Sequence, residues 1–245
     1  MKVALVTGAS RGLGAEISRA LGAAGWAVAV NYFRNEAAAG RTVAAIKASG
    51  GNAIAAGFDV TDDEAVKRGL KAIEAELGPI DLVVNNATGE QPDLSIMEQT
   101  WQDHLNQLTF FVKAPTFILQ QLLPEWRRRK AGRVINIGSE VVELGNPNLA
   151  PYVAAKGAMI GLTRSWAREL GPDNITVNLV SPGWIPTERH ADATAQAKSD
   201  YARMVPLGRQ GEPSDLSGMI VFLASDQASF ITGQTFAVNG GRTLA

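Results

Sequence analysis

The chain has 245 residues, 46% of them hydrophobic, and a formal net charge of −1. That is enough apolar material for one α/β domain over residues 1–245, and too little charge for nucleic acid or an anionic membrane surface to be a partner. With no cysteine and only His104 and His190, disulfides, thiolate catalysis and cysteine-ligated metals are excluded and no metal site is expected.

The first apolar run, residues 3–6, is ended at once by a glycine turn. It is shorter than a secretory core, and no stretch approaches a membrane span, so a cytoplasmic protein is expected. The turn reads Thr7-Gly8-Ala9-Ser10-Arg11-Gly12-Leu13-Gly14, and a helical pattern (Leu13, Ile17, Leu21, Ala24) opens behind it. A second run, 27–30, continues into Asn31-Tyr32-Phe33-Arg34, and a third covers 53–56. Thr61-Asp62-Asp63-Glu64 reads as a helix cap with acidic first-turn residues, and 82–84 as the fourth strand. From Trp101 to about Arg129 the pattern fits one long helix, kinked at Pro115 and closing on the basic run Arg127-Arg128-Arg129-Lys130. The fifth strand, 134–137, leads to Ser139, and the helical segment beyond it carries Tyr152 and Lys156. After a sixth strand at 176–180, the polar, proline-bounded stretch 186–206 breaks the alternation and reads as a substrate lid. A helix from Pro213 to about Ala224 and a strand at 235–238 complete the pattern.

The strand runs lack alternation and are rich in β-branched residues, as strands buried on both faces are. Alternating with helices, they predict a Rossmann-type doubly wound parallel sheet of about seven strands in three αβα layers. A glycine-rich turn between a first strand and a helix suits a dinucleotide: glycine lets backbone approach the pyrophosphate, and the helix N-terminus favours its charge. No acid follows the second strand before Glu36, whereas Arg11 and Arg34 are at hand for a 2′-phosphate. NADP(H) is therefore favoured, with NAD(H) the alternative.

Tyr152 and Lys156 are four apart and share a helix face. Carbonyl reduction needs a proton donor, and a phenol with an ordinary pKa near about 10 needs a neighbouring cation to serve at neutral pH. Ser139, at a strand's carboxyl end, is placed to hold a substrate oxygen. Spacing alone leaves Tyr-x-x-x-Lys as a common helix pair; the glycine turn and the serine raise it to a catalytic candidate.

These motifs resemble those of the short-chain dehydrogenase/reductase family, and most nearly its 3-oxoacyl-(acyl-carrier-protein) reductases. The family's Thr-Gly-x-x-x-Gly-x-Gly matches Thr7 to Gly14, its acidic adenine-contacting position Asp59 with Val60, its Asn-Asn-Ala-Gly motif Asn85-Asn86-Ala87-Thr88, and its Pro-Gly motif Pro182-Gly183. The resemblance implies catalysis by Ser139, Tyr152 and Lys156, with Tyr152 as acid/base and Lys156 also on the nicotinamide ribose. It implies a cofactor held by Gly8, Ser10, Arg11, Gly12, Leu13, Gly14, Asn31, Arg34, Asp59, Val60, Asn86, Ala87, Tyr152, Lys156, Pro182, Gly183, Ile185 and Thr187. It also implies a homodimer or homotetramer, and a carbonyl or secondary-alcohol substrate, with a carrier-bound acyl group as one candidate. The chain departs from the family at Thr88, where glycine is usual, and at Phe111, where an asparagine usually supports a water beside the lysine. Asn106 lies about one turn earlier. The departures leave a second reading, an NADP-binding member with little turnover. Val142, Leu144, Leu149, Trp184 and Met204 are candidates for an apolar substrate wall, and Trp101, Trp126 and Trp166 for core or subunit contacts; the basic run is first a solvated helix end that complements the helix dipole, with docking of an acidic carrier as the second reading.

Overall fold

The computed structural model describes residues 1–244; the side chain of Arg189, within the expected lid, and Ala245 lie outside the description. The strands are β1 (Val3–Val6), β2 (Ala27–Tyr32), β3 (Asn52–Gly57), β4 (Ile80–Asn85), β5 (Gly132–Ile137), β6 (Ile175–Pro182) and β7 (Thr235–Val238). They form one sheet in the order β3-β2-β1-β4-β5-β6-β7, and every pairing is parallel. The order reverses between β1 and β4, so their carboxyl ends open the crevice where such sheets bind ligands.

The helices are α1 (Gly12–Ala23), α2 (Glu36–Ala48), α3 (Asp63–Leu77), α4 (Trp101–Leu108), α5 (Ala114–Arg129), α6 (Val141–Leu144), α7 (Ala150–Leu170), α8 (Ala195–Arg203) and α9 (Pro213–Ala224). Successive strand side chains point to opposite faces, and both faces are apolar. Leu5, Val83, Val134 and Val177 meet Leu70, Ile118 and Trp126 of α3 and α5 on one side. Val6, Val84, Ile135 and Val180 meet Ile17, Leu21, Ile46 and Ile220 of α1, α2 and α9 on the other. Trp126 is fully buried, and its indole N–H donates to the Ile80 carbonyl at 2.7 Å. Among the described residues no helix is long and apolar enough to cross a membrane.

Two local expectations need correction. The segment 101–129 is not one helix kinked at Pro115: a π-helical turn, Thr109–Lys113, separates α4 from α5, and Pro115 sits in the first turn of α5. The Phe111 carbonyl, four residues before Pro115 and deprived of that proline's N–H, lies within this turn, so the irregularity falls where the proline interrupts the helical bonding. The cap of α3 is Asp62, whose carboxylate accepts from the Glu64 and Ala65 amides at 2.9 Å each. The expected lid is partly helical, with a short 3₁₀ turn (Glu188–His190) followed by α8.

Candidate active site

The glycine turn is built by close approach. Gly8 has φ +62°, and a Cβ there would stand 2.8 Å from the Ala87 Cα. On Gly14 a Cβ would stand 2.6 Å from the Gly8 carbonyl oxygen and 2.6 Å from Asn86 Nδ2. Three uncharged side chains brace this backbone. Thr7 donates its hydroxyl to the Val84 carbonyl (3.2 Å) and accepts the amides of Asn86 (2.9 Å) and Ala87 (3.0 Å). Asn86 Nδ2 donates to the Thr7 and Gly8 carbonyls at 2.8 and 3.1 Å. Asn31 accepts the Gly8 amide at 3.1 Å and donates to the Ala56 and Phe58 carbonyls at 3.2 and 3.0 Å.

Asn31 is 2% exposed, so it shapes the turn from beneath. Its position at the end of β2 was legible; its role was not, because its bonds reach across to β3 and to the turn before α1. Asp59 accepts the Thr61 amide and hydroxyl at 2.8 Å each, which fixes the bend after β3 beside the buried Val60.

Beside the turn lies a cavity of about 480 Å³ lined by Ser10, Arg11, Gly12, Arg41, Thr187 and Glu188. Arg11, at the N-cap of α1, makes no capping bond, which leaves the positive end of that helix to an anion. Arg34 is directed differently: its guanidinium stacks 4.9 Å from the exposed Phe33 ring. Arg41 was not singled out from sequence. The available signal was helical phase, since its neighbour Thr42 donates to the Ser10 carbonyl at 3.4 Å and so turns this part of α2 toward the turn. A cradle that a side chain would fill, a helix N-terminus and guanidinium groups in one cavity fit a dinucleotide carrying an extra phosphate.

The other end of the crevice gathers β5, β6 and α7. Lys156 is 5% exposed; its ammonium donates to the Ile137 carbonyl at 2.6 Å, at the carboxyl end of β5. Phe111, 1% exposed on the π-helical turn, covers it with its ring face, centroid 3.8 Å from Nζ. The same ring meets Tyr152 edge-on at 5.6 Å, and the Tyr152 centroid is 5.6 Å from Lys156 Nζ. A buried ammonium under an aromatic face is stabilised as a cation. Asn106 faces outward and accepts from Gln102 at 2.9 Å, so Phe111 is the residue beside the lysine. Ser139 Oγ accepts the Val141 amide at 3.4 Å.

Beneath this end, Asn85 Nδ2 donates to Asn136 Oδ1 (2.8 Å) and Asn136 Nδ2 to Thr163 Oγ1 (2.9 Å), which joins β4, β5 and α7 through the core. Ile185 is buried in the core on the α1 side, and Thr187 lines the cavity. Of the candidate substrate wall, Val142, Leu144, Leu149 and Trp184 are half-buried on the segments following β5 and β6. Met204 is 51% exposed.

The basic run is tied into the protein's own carboxylates. Arg127 pairs with Asp173 (3.0 Å), Arg128 with Glu125 (2.6 Å), Arg129 with Asp81 (2.6 Å), and Lys130 with Asp173. It is a paired helix end, not a free cationic patch. Trp126 and Trp166 belong to the core side of α5 and α7, whereas Trp101 is 67% exposed on α4.

Known proteins match this chain in sequence and fold across its length. A family model described as enoyl-(acyl carrier protein) reductase matches residues 8–243. The 3-oxoacyl-[acyl-carrier-protein] reductase FabG of Staphylococcus aureus is 40% identical over 242 residues, covering 98% of this chain and 97% of that protein. Among solved structures, a double mutant of a short-chain dehydrogenase/reductase from Serratia marcescens superposes with a TM-score of 0.90 at 32% identity, covering 99% of this chain and 98% of the other. A blue fluorescent protein from a metagenomic library, in complex with NADPH, also superposes with a TM-score of 0.90, at 35% identity and with 99% and 98% covered. Likeness of this extent, in sequence and in fold together, makes the chain an oxidoreductase of the short-chain dehydrogenase/reductase family.

Proposed function

We propose that the chain is an NADP(H)-dependent carbonyl reductase whose substrates include 3-oxoacyl thioesters, acting through Ser139, Tyr152 and Lys156 with residues 186–206 as a lid. The observation that carries this reading is the ammonium of Lys156, buried at the carboxyl end of β5 one helical turn from Tyr152. A lysine held there has a chemical use: it stabilises the phenolate left when Tyr152 gives up its proton.

Bound NADPH supplies a hydride to the carbonyl carbon. Tyr152 donates its phenolic proton to the carbonyl oxygen, and Ser139 donates a hydrogen bond to the same oxygen as charge develops. Lys156 holds the phenol's charge, and the Phe111 face holds Lys156. The glycine turn, with Arg11 and Arg41 in the adjoining cavity, supports NADP over NAD, as does the NADPH bound by the metagenomic neighbour. Asn31 and Asn86 act through the turn as braces.

The named activity of the FabG relative supports the acyl class, and so do the half-buried apolar residues after β5 and β6. Pairing of the basic run argues against Arg127–Lys130 as the carrier's docking point. The exposed Met97 and Trp101 near α4, and Phe230 before β7, support self-association into a dimer or tetramer.

The test is NADPH oxidation followed by absorbance with a carrier-bound 3-oxoacyl thioester, a free thioester analogue and simple cyclic ketones. Faster turnover of the two thioesters is expected. Turnover of the ketones alone would remove the acyl assignment and leave the reductase.

A further inference from the structure

One buried cluster beside the active site has no part in the proton path. Glu140 follows Ser139 directly and is only 4% exposed. Its Oε1 accepts the Tyr201 hydroxyl at 2.6 Å. Tyr201, 9% exposed, comes from α8 in the lid stretch, 61 residues away. The same phenol oxygen accepts the Trp184 amide at 2.8 Å, and the Tyr201 and Trp184 rings meet edge to face at 5.4 Å. The Glu140 amide in turn donates to the Pro182 carbonyl at 3.1 Å.

The approach is close. A Cβ on Gly183 would stand 2.5 Å from the Tyr201 hydroxyl oxygen, so the Pro-Gly turn admits this phenol only because residue 183 is glycine. Burial and the Glu140 carboxylate raise the Tyr201 phenol above its ordinary range, which keeps it a proton donor at neutral pH. One hydroxyl thus joins the lid helix, the turn after β6 and the residue next to Ser139.

We infer that Tyr201 and Glu140 form a positioning pair. Tyr201 holds α8 shut over the Pro182–Trp184 turn, and Glu140 transmits that closure to the backbone of Ser139. The inference rests on the proposed reductase reading for its catalytic consequence, but not for the closure itself. A bond between buried partners is strong locally, because neither partner finds water when the other is removed. Segments that cover ligands open more easily than the core, so loss of this bond is felt first in α8.

The experiment uses Tyr201→Phe, which keeps the ring against Trp184 and deletes the hydroxyl, together with Glu140→Leu and Glu140→Gln. Two readouts separate the inference from the reading beneath it. Amide hydrogen exchange of α8 needs no turnover. Tyr201→Phe and Glu140→Leu are expected to speed it by about tenfold while leaving α1 unchanged, and Glu140→Gln, which keeps an oxygen for the phenol, recovers most of the protection. In steady-state kinetics Tyr201→Phe raises the KM for the carbonyl more than it lowers kcat. Unchanged α8 exchange in Tyr201→Phe, or equal loss in Glu140→Gln and Glu140→Leu, would overturn the pair. An inactive parent with the expected exchange pattern would keep the closure and remove the reductase reading. A variant that fails to fold does not stall the test, because the Gln and Leu forms of Glu140 are compared with each other.

Discussion

The two ends of the crevice are built from opposite materials. At the cofactor turn, Thr7, Asn31 and Asn86 brace the backbone through neutral hydrogen bonds, and each makes at least two of them. At the carbonyl end an ammonium, a carboxylate and a phenol, Lys156, Glu140 and Tyr201, are each buried. Their contacts come from the π-helical turn, β5, the segment after β6, α7 and α8. Neutral bonds in a short stretch make a rigid, over-determined cradle. Buried charges depend on every neighbour that stabilises them, since an uncompensated charge in the interior is costly. The cradle should therefore fail by steric intrusion, and the carbonyl end by loss of single electrostatic partners.

The largest effect expected on the cradle comes from Gly14→Val. Its side chain would collide with the Gly8 carbonyl oxygen and Asn86. Overpacking of this kind costs roughly 1–3 kcal/mol. NADPH affinity, followed by fluorescence titration, should fall by roughly fivefold to 150-fold, because the turn must move from the geometry that meets the pyrophosphate. Retained affinity would mean that the turn adapts and is not rigid.

At the other end, Phe111→Leu keeps an apolar filling and removes the aromatic face 3.8 Å from Lys156. A desolvated contact of this type is worth about 2 kcal/mol, so turnover should fall by roughly tenfold or somewhat more. NADPH affinity should change little. Equal loss of both would merge the two regions into one.

Arg11→Ala sharpens the account of the cavity. Loss of a charge-assisted bond, about 1.5–3 kcal/mol, should weaken NADPH by roughly tenfold or more while leaving NADH nearly unchanged. Weakening of both cofactors alike would place Arg11 on the pyrophosphate instead of the 2′-phosphate.

The smallest effect is a pH signature. Burial raises the Glu140 carboxyl above the usual carboxylate value, against the opposing pulls of Tyr201, Asn239, Arg242 and the Trp184 backbone. A raised folded-state value means that folding favours the protonated form; that contribution is complete below the ordinary glutamate value and is lost as pH rises through the raised one. Relative to the parent, the Glu140→Gln protein should therefore gain in thermal midpoint between pH 4 and pH 7.5. A difference that does not vary with pH would mean that Glu140 titrates as an exposed glutamate does.

The same contrast explains what could be read from the chain. The strands and the glycine turn are legible because each is a short contiguous string: β-branched runs buried on both faces, and glycines where backbone meets backbone. Tyr152 and Lys156 are legible because helical spacing puts them on one face. The π-helical turn, the bracing role of Asn31 and the Glu140–Tyr201 bond are not. Each depends on partners far along the chain, 61 residues in the last case. The basic run leaves two readings open in sequence, a helix end or a carrier dock, and only the fold, by bringing Asp81, Glu125 and Asp173 beside it, favours the helix end.

The central claim is that Tyr152 gives its proton to a carbonyl while a nicotinamide gives its hydride. The direct test compares the parent and Tyr152→Phe in NADPH oxidation with a 3-oxoacyl thioester, alongside NADPH affinity for both. Positioned proton transfer is worth about 10²–10⁴ in rate, so the variant should lose that much turnover while binding NADPH as the parent does. A Tyr152→Phe protein that binds NADPH and turns over as fast as the parent would contradict the account.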